Sequence, residues 1–164
     1  MTQLKSEIRI NAPKEKVWEI LADFGGVAAY NLNLRSAHST SEANGGVGAT
    51  RHCDLLPMGS IEERIVDWTE GQGYTIDIYE GKGTPPFKSA LARIEVHPEG
   101  QQTLVTMEMN YSLKFGVVGT AMNKMMVRAQ FAKALPRILQ GLKIYAETDK
   151  KPTRADLKSL AATA

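Results

Sequence analysis

Residues 103–115 read TLVTMEMNYSLKF, and the way this stretch is followed decides the fold. Val105, Met107, Met109, Tyr111, Leu113 and Phe115 alternate with Thr106, Glu108, Asn110, Ser112 and Lys114, the two-residue period of a strand with one apolar face. From about Val118 to Glu147 the period changes. Apolar residues now return at three and four, through Met122, Met126, Val127, Phe131, Ala134, Ile138, Leu142 and Tyr145, as on one face of a long amphipathic helix. Pro136 falls inside that helix, where it removes a hydrogen bond to Ala132 and is expected to kink the axis. The opposite face carries Lys124, Arg128, Lys133, Arg137 and Lys143, a basic stripe that reads first as a solvated surface.

Working back towards the N-terminus, Leu4 to Asn11 also alternates, with Ser6, Ile8 and Ile10 on one face and Lys5, Glu7 and Arg9 on the other. Pro13 suits the first turn of a helix, where its missing N–H has no partner to lose, and Lys14 to Asp23 follows with Val17, Trp18, Leu21 and Phe24 near helical spacing. Gly25 and Gly26 stop it, and a second short helix is expected over Val27 to Tyr30. The middle of the chain is a meander of short strands, Ser36–Glu42, Ala49–Leu56, Ser60–Thr69, Tyr74–Tyr79 and Ser89–His97, punctuated by glycine and proline turns. The expected fold is α+β: a curved antiparallel sheet of about seven strands gripping a long C-terminal helix, with two short helices after the first strand. No internal repeat is present.

The chain has 164 residues, enough for one core, and its 43% hydrophobic and 23% charged residues are those of an ordinary folded domain. A net charge of +2 gives no whole-molecule reason to expect nucleic acid as a partner. The lone Cys53 excludes an internal disulfide framework and a cysteine-based zinc site. The opening MTQLKSEIRI lacks the apolar core of a signal peptide, and no run approaches the roughly 18 apolar residues of a membrane span. A cytoplasmic location without stable membrane insertion is the expectation, with monomer and homodimer both open.

Chemistry-bearing residues are sparse. His38, His52 and His97 show no short-spaced pairing with other ligands, so no metal is expected; His52 should point outward and His97 lie at a turn. No nucleophile motif or phosphate-binding glycine loop appears, and no cofactor or catalytic residue is assigned on spacing alone. Cys53, inward among apolar neighbours, reads as a small hydrophobe. Two inward positions stand out because they are charged. Arg51 shares a face with Cys53 and Leu55, and Glu63 shares one with Ile61 and Ile65, on adjacent strands where they can pair. Such a pair either fixes register or anchors a ligand, and both readings stay open. If the two pair closely, Glu63 becomes a poor base.

These residues carry a family resemblance. Ile8-Arg9-Ile10-Asn11-Ala12-Pro13, Lys16-Val17-Trp18, Asp23-Phe24-Gly25-Gly26, Gly48-Ala49-Thr50-Arg51 and Ile61-Glu62-Glu63-Arg64, continued by Tyr74, Phe87 and Ile94-Glu95-Val96, resemble the START-like, birch-pollen-allergen (SRPBCC) superfamily, in its polyketide cyclase/dehydratase and lipid-transport branch. The resemblance covers roughly residues 4 to 147 and implies a helix-grip ligand-binding domain over 1–147; residues 148–164 lack a sizeable apolar face and are expected to form a flexible tail with a weak helix around Asp156 to Ala162. It implies a cavity for a small hydrophobic molecule such as a lipid, isoprenoid or polyketide-like aromatic. Arg51, Glu63, Tyr74, Phe87, Met107, Met109 and Tyr111 would line the sheet side, with Met126, Gln130 and Ala134 on the helix side. Gln130 would be a buried amide in need of a partner. Methionines on both facing surfaces suit a wall that adapts to its contents.

A weaker similarity to plant abscisic acid receptors implies a gate at Leu55-Leu56-Pro57-Met58-Gly59 and a second lid over Glu80 to Pro86. Two alternatives to simple carriage follow. One is a cyclase or dehydratase in which Glu63 acts as acid/base and Arg51 or Tyr111 steadies negative charge. The other is an interaction module that offers the basic helix face to an acidic partner.

Overall fold

The structure, a computed structural model, describes residues 1–162. β1 (Thr2–Ile10) opens the chain, and α1 (Lys14–Ala22) starts immediately after Pro13, as the fixed φ of that residue favours. A 3-10 helix over Phe24–Ala29 completes the helical hairpin and begins three residues earlier than the sequence suggests. The meander follows as β2 (Leu34–Ser39), β3 (Thr50–Leu55), β4 (Ser60–Thr69), β5 (Gly73–Lys82), β6 (Phe87–Glu99) and β7 (Gln102–Leu113). All neighbours are antiparallel and the order is β1-β7-β6-β5-β4-β3-β2, so the first strand closes against the last. His97 lies within β6 opposite Leu104, not in the turn that follows.

The last strand ends two residues sooner than its alternation suggests. Phe115 is not inward; it takes a left-handed φ of 71° and is exposed, because the chain must turn there to enter the helix. Helical structure then starts at Gly116, with α2 (Gly116–Met122), a π-helical turn over Asn123–Val127 and α3 (Arg128–Thr148) in unbroken succession. α3 runs on through Pro136. It packs on β1 and reaches β7, so the helix fills the concave side of the sheet.

Core positions follow the periods that the sequence shows. Ile10, Ile65, Tyr74, Ile76, Ala90, Ile94, Val105 and Tyr111 from the sheet are buried with Val127, Leu135, Leu139 and Leu142 from the helix. A bulge at Val66 switches the parity of β4, which is why Ile65 and Trp68 both turn inward. The segment expected as a tail holds Pro152 buried and carries α4 (Arg154–Ala162); its last two residues, 163 and 164, lie outside the described residues. Asp149, left-handed at φ 57°, ends α3 and pairs with Lys16 at 3.1 Å.

Candidate ligand cavity

Between the sheet and the C-terminal helix lies a cavity of about 630 Å³. Small side chains on both walls leave it room. Ala92 on β6 and Ala134 on α3 both line it, flanked by Ile76, Ile78, Ile94, Met107 and Met109 from the sheet. On the helix, Met122, Met126, Gln130, Ala134 and Ile138 recur at every fourth position and form one continuous row along the wall.

The polar end of the cavity is built by β3 and β4. Direct register between Arg51 and Glu63 brings their side chains together, Arg51 Nε donating to Glu63 Oε2 at 2.5 Å. Arg51 Nη1 donates to the Phe24 carbonyl at 2.7 Å, and the guanidinium lies 3.9 Å over the Phe24 ring. Burial works against the charge of Arg51 and the adjacent Glu63 supports it, with a net upward shift in its pKa. The Cys53 thiol points at Glu63 Oε2 at 3.6 Å and burial pushes it up to about 12, which leaves it without thiolate at neutral pH. A bulge at Tyr79 on β5, opposite Glu62 and Glu63, bends the sheet beside the pair.

Two loops meet at the other end. Leu56, Pro57 and Met58 approach from one side, and Gly83, Thr84, Pro85 and Pro86 from the other. Gly59, at φ 97°, could not carry a Cβ, which would stand 2.5 Å from the Lys82 carbonyl oxygen, so the two loops touch through backbone. Both segments read from the sequence as lids therefore sit over the cavity.

Of the ten residues expected on the wall, Arg51, Glu63, Phe87, Met107, Met109, Met126, Gln130 and Ala134 are there. Gln130 is exposed at the rim, so it is not a buried amide seeking a partner. Tyr74 and Tyr111 stand behind the wall. Tyr74 is wedged between Trp68, stacked at 5.4 Å, and the edge-on Phe24, and its buried hydroxyl makes no hydrogen bond of ordinary geometry. Burial pushes that hydroxyl up to about 12. Tyr111 packs on Phe87 and Phe131 and donates to Asn123 Oδ1, tying β7 to the π-helical turn; Asn123 Nδ2 continues to Thr2 Oγ1 at 2.8 Å. Burial raises its pKa too.

The sequence reading missed Tyr30, Asn31, Ile76, Ala92, Ile94 and Phe131, all of which line the cavity. Ala90 and Ala92, inward on β6, were a readable sign of space. Outside the cavity, His52 lies on the outer face of the sheet as alternation requires, with Nδ1 on Glu62 and Nε2 3.2 Å from Asp54. Among the described residues, no helix is long and apolar enough to cross a membrane.

A family model described as polyketide cyclase/dehydrase and lipid transport matches residues 1–147. The chain belongs to that family. A search of curated proteins finds no match. Among solved structures, a START superfamily protein from Mycobacterium smegmatis is 16% identical, with a TM-score of 0.73 over 90% of this chain and 99% of that one. A protein from Thermus thermophilus is 20% identical, with a TM-score of 0.71 over 99% and 100%. Ara h 8.0201 is 13% identical, with a TM-score of 0.70 over 88% and 97%. At these identities the likeness shows the helix-grip fold that the family shares, and the fold itself hosts many functions.

Proposed function

We propose that the protein binds and carries a small hydrophobic molecule, a lipid, isoprenoid or polyketide-like aromatic, within its cavity. The observation that carries this reading is the cavity itself, about 630 Å³ of mostly apolar wall closed at one end by the Arg51–Glu63 pair. That volume falls within the roughly 300–1,000 Å³ typical of ligand pockets. The apolar row on the helix supplies burial, and the charged pair offers an orienting contact to a ligand with one polar end. Native mass spectrometry of the purified protein, followed by displacement of a fluorescent fatty acid, tests the reading. Wild type should take up the probe, and Ala134→Trp, which fills the cavity, should lose at least about tenfold in affinity while melting near wild type. No uptake of lipid, isoprenoid or aromatic probes by wild type would overturn it.

A second reading, cyclase or dehydratase chemistry, is supported by the family description together with a carboxylate, Glu63, on the cavity wall. In this reading Glu63 moves a proton on a bound polyketide-like substrate and Arg51 steadies negative charge. Glu63 is clamped by Arg51, so it would act only after the pair loosens. Turnover of a polyketide-like substrate by Glu63→Gln decides it, an unchanged rate removing Glu63 from the chemistry.

A further inference from the structure

Large apolar side chains left in water are concentrated at one place on this molecule. Phe115 is 69% exposed, Val117 86%, Val118 71% and Met125 83%, all in the ten or so residues where the chain leaves β7 and enters the helix. Across the opening, Met58 of the first lid is 72% exposed. Met58 and Met126 also line the cavity, which identifies this patch as the rim of its mouth. Val118 lies four residues before Met122 and eight before Met126, and so shares their helix face.

Phe115 is held outward at a cost. A bulky side chain at φ 71° is strained by on the order of 1–2 kcal/mol, and the following Gly116, at φ 49°, continues the same turn. Nothing in the described core uses the ring it presents. The helix is also interrupted here by the π-helical turn at Asn123–Val127, a feature frequent at functional sites.

The stretch that carries the patch has charge of one sign only. Between Glu108 and Glu147 the sequence has six basic residues, Lys114, Lys124, Arg128, Lys133, Arg137 and Lys143, and no acidic one, in a chain whose net charge is just +2. Lys114 and Arg128 flank the apolar tip and are exposed, and Lys133 and Arg137 reach the cavity wall. On the lid side Arg35 donates to the Pro57 carbonyl at 2.9 Å. A second copy on this face would set these cations against their own images, which disfavours a dimer there. Apolar tips within a basic border match the surface of a membrane rich in anionic lipid.

We propose that the cavity mouth docks on an anionic lipid bilayer, with Phe115, Val117, Val118 and Met125 entering the headgroup region and Lys114 and Arg128 facing lipid phosphates. The interaction is peripheral and reversible, because a few apolar tips anchor weakly without charge attraction. It is separable from the ligand-binding reading, since Ala134→Trp, which fills the cavity, should lower probe uptake and leave vesicle binding unchanged.

Co-sedimentation with vesicles of phosphatidylcholine mixed with phosphatidylglycerol, compared with pure phosphatidylcholine, tests it. Binding should require the anionic lipid and weaken as salt rises. Two exposed pairs, Val118→Asp with Met125→Asp and Lys114→Glu with Arg128→Glu, should each reduce binding at least about tenfold while melting like wild type, as each basic residue near such a surface is worth about fivefold. Any of three results overturns the proposal: no binding to anionic vesicles at low salt, equal binding to the neutral vesicles, or wild-type binding by both double variants. A dimer that Val118→Asp with Met125→Asp dissolves would overturn it as well, by giving the face to a second copy.

Discussion

Arg51 and Glu63 each satisfy the other at a site that water barely reaches, so they are costly to remove one at a time. Arg51→Met strands a carboxylate and frees the Phe24 carbonyl, and should cost about 3–5 kcal/mol, read as a lowered urea midpoint. Arg51→Met with Glu63→Leu should recover much of that loss, because an apolar pair of similar volume avoids the stranded charge. His52 gives a second residue-scale expectation, with a sign fixed by linkage. Hydrogen bonds to Glu62 and Asp54 raise its pKa above the ordinary value of about 6.5. Stabilisation from the cluster is therefore fully present below the unfolded-state value and is lost as pH rises through the folded midpoint. Proton NMR should place the His52 midpoint above about 6.5, and Glu62→Gln should lower it. The stability difference between Glu62→Gln and wild type should shrink on the alkaline side.

At the level of elements, contacts through glycine decide what can be changed. A Cβ at Gly141 would collide with the carbonyl oxygen of Tyr30 and approach Pro152 Cγ at 3.4 Å. Because the obstacle is backbone, Gly141→Ala should separate α3 from the 3-10 segment and lower stability by about 1–3 kcal/mol, measured as a drop in melting temperature. Nothing in the sequence pattern marks Gly141 as such a contact. What the pattern did show was period. The alternation of Val105 to Leu113 and the spacing of Met122 to Leu142 were enough to place helix on sheet, and alternation on β3 and β4 was enough to pair Arg51 with Glu63. Phe115 escaped the reading because alternation carries no signal for where a chain turns. Tyr74 and Tyr111 are inward, as their parity requires, yet parity cannot say whether an inward ring reaches a cavity or stands behind another ring. The space itself had only the alanines of β6 to announce it.

For the molecule as a whole, the family match ends at residue 147, while the fold continues past it. Pro152 is buried, and Asp149 joins Lys16 of α1. A chain ending at Asp149 should expose the Pro152 contact on α3 and lose about 1–2 kcal/mol in chemical unfolding, without loss of the sheet as seen by circular dichroism. The strand order has a further consequence. Ile10 is paired with Thr103 and Thr2 with Tyr111, so β1 has no sheet neighbour until the last strand exists. On the ribosome the first strand made must wait, unpaired, while nearly the whole meander is synthesised; residues 102–113 complete the sheet when they leave the exit tunnel, and the cavity closes only once the helix that follows them has emerged as well.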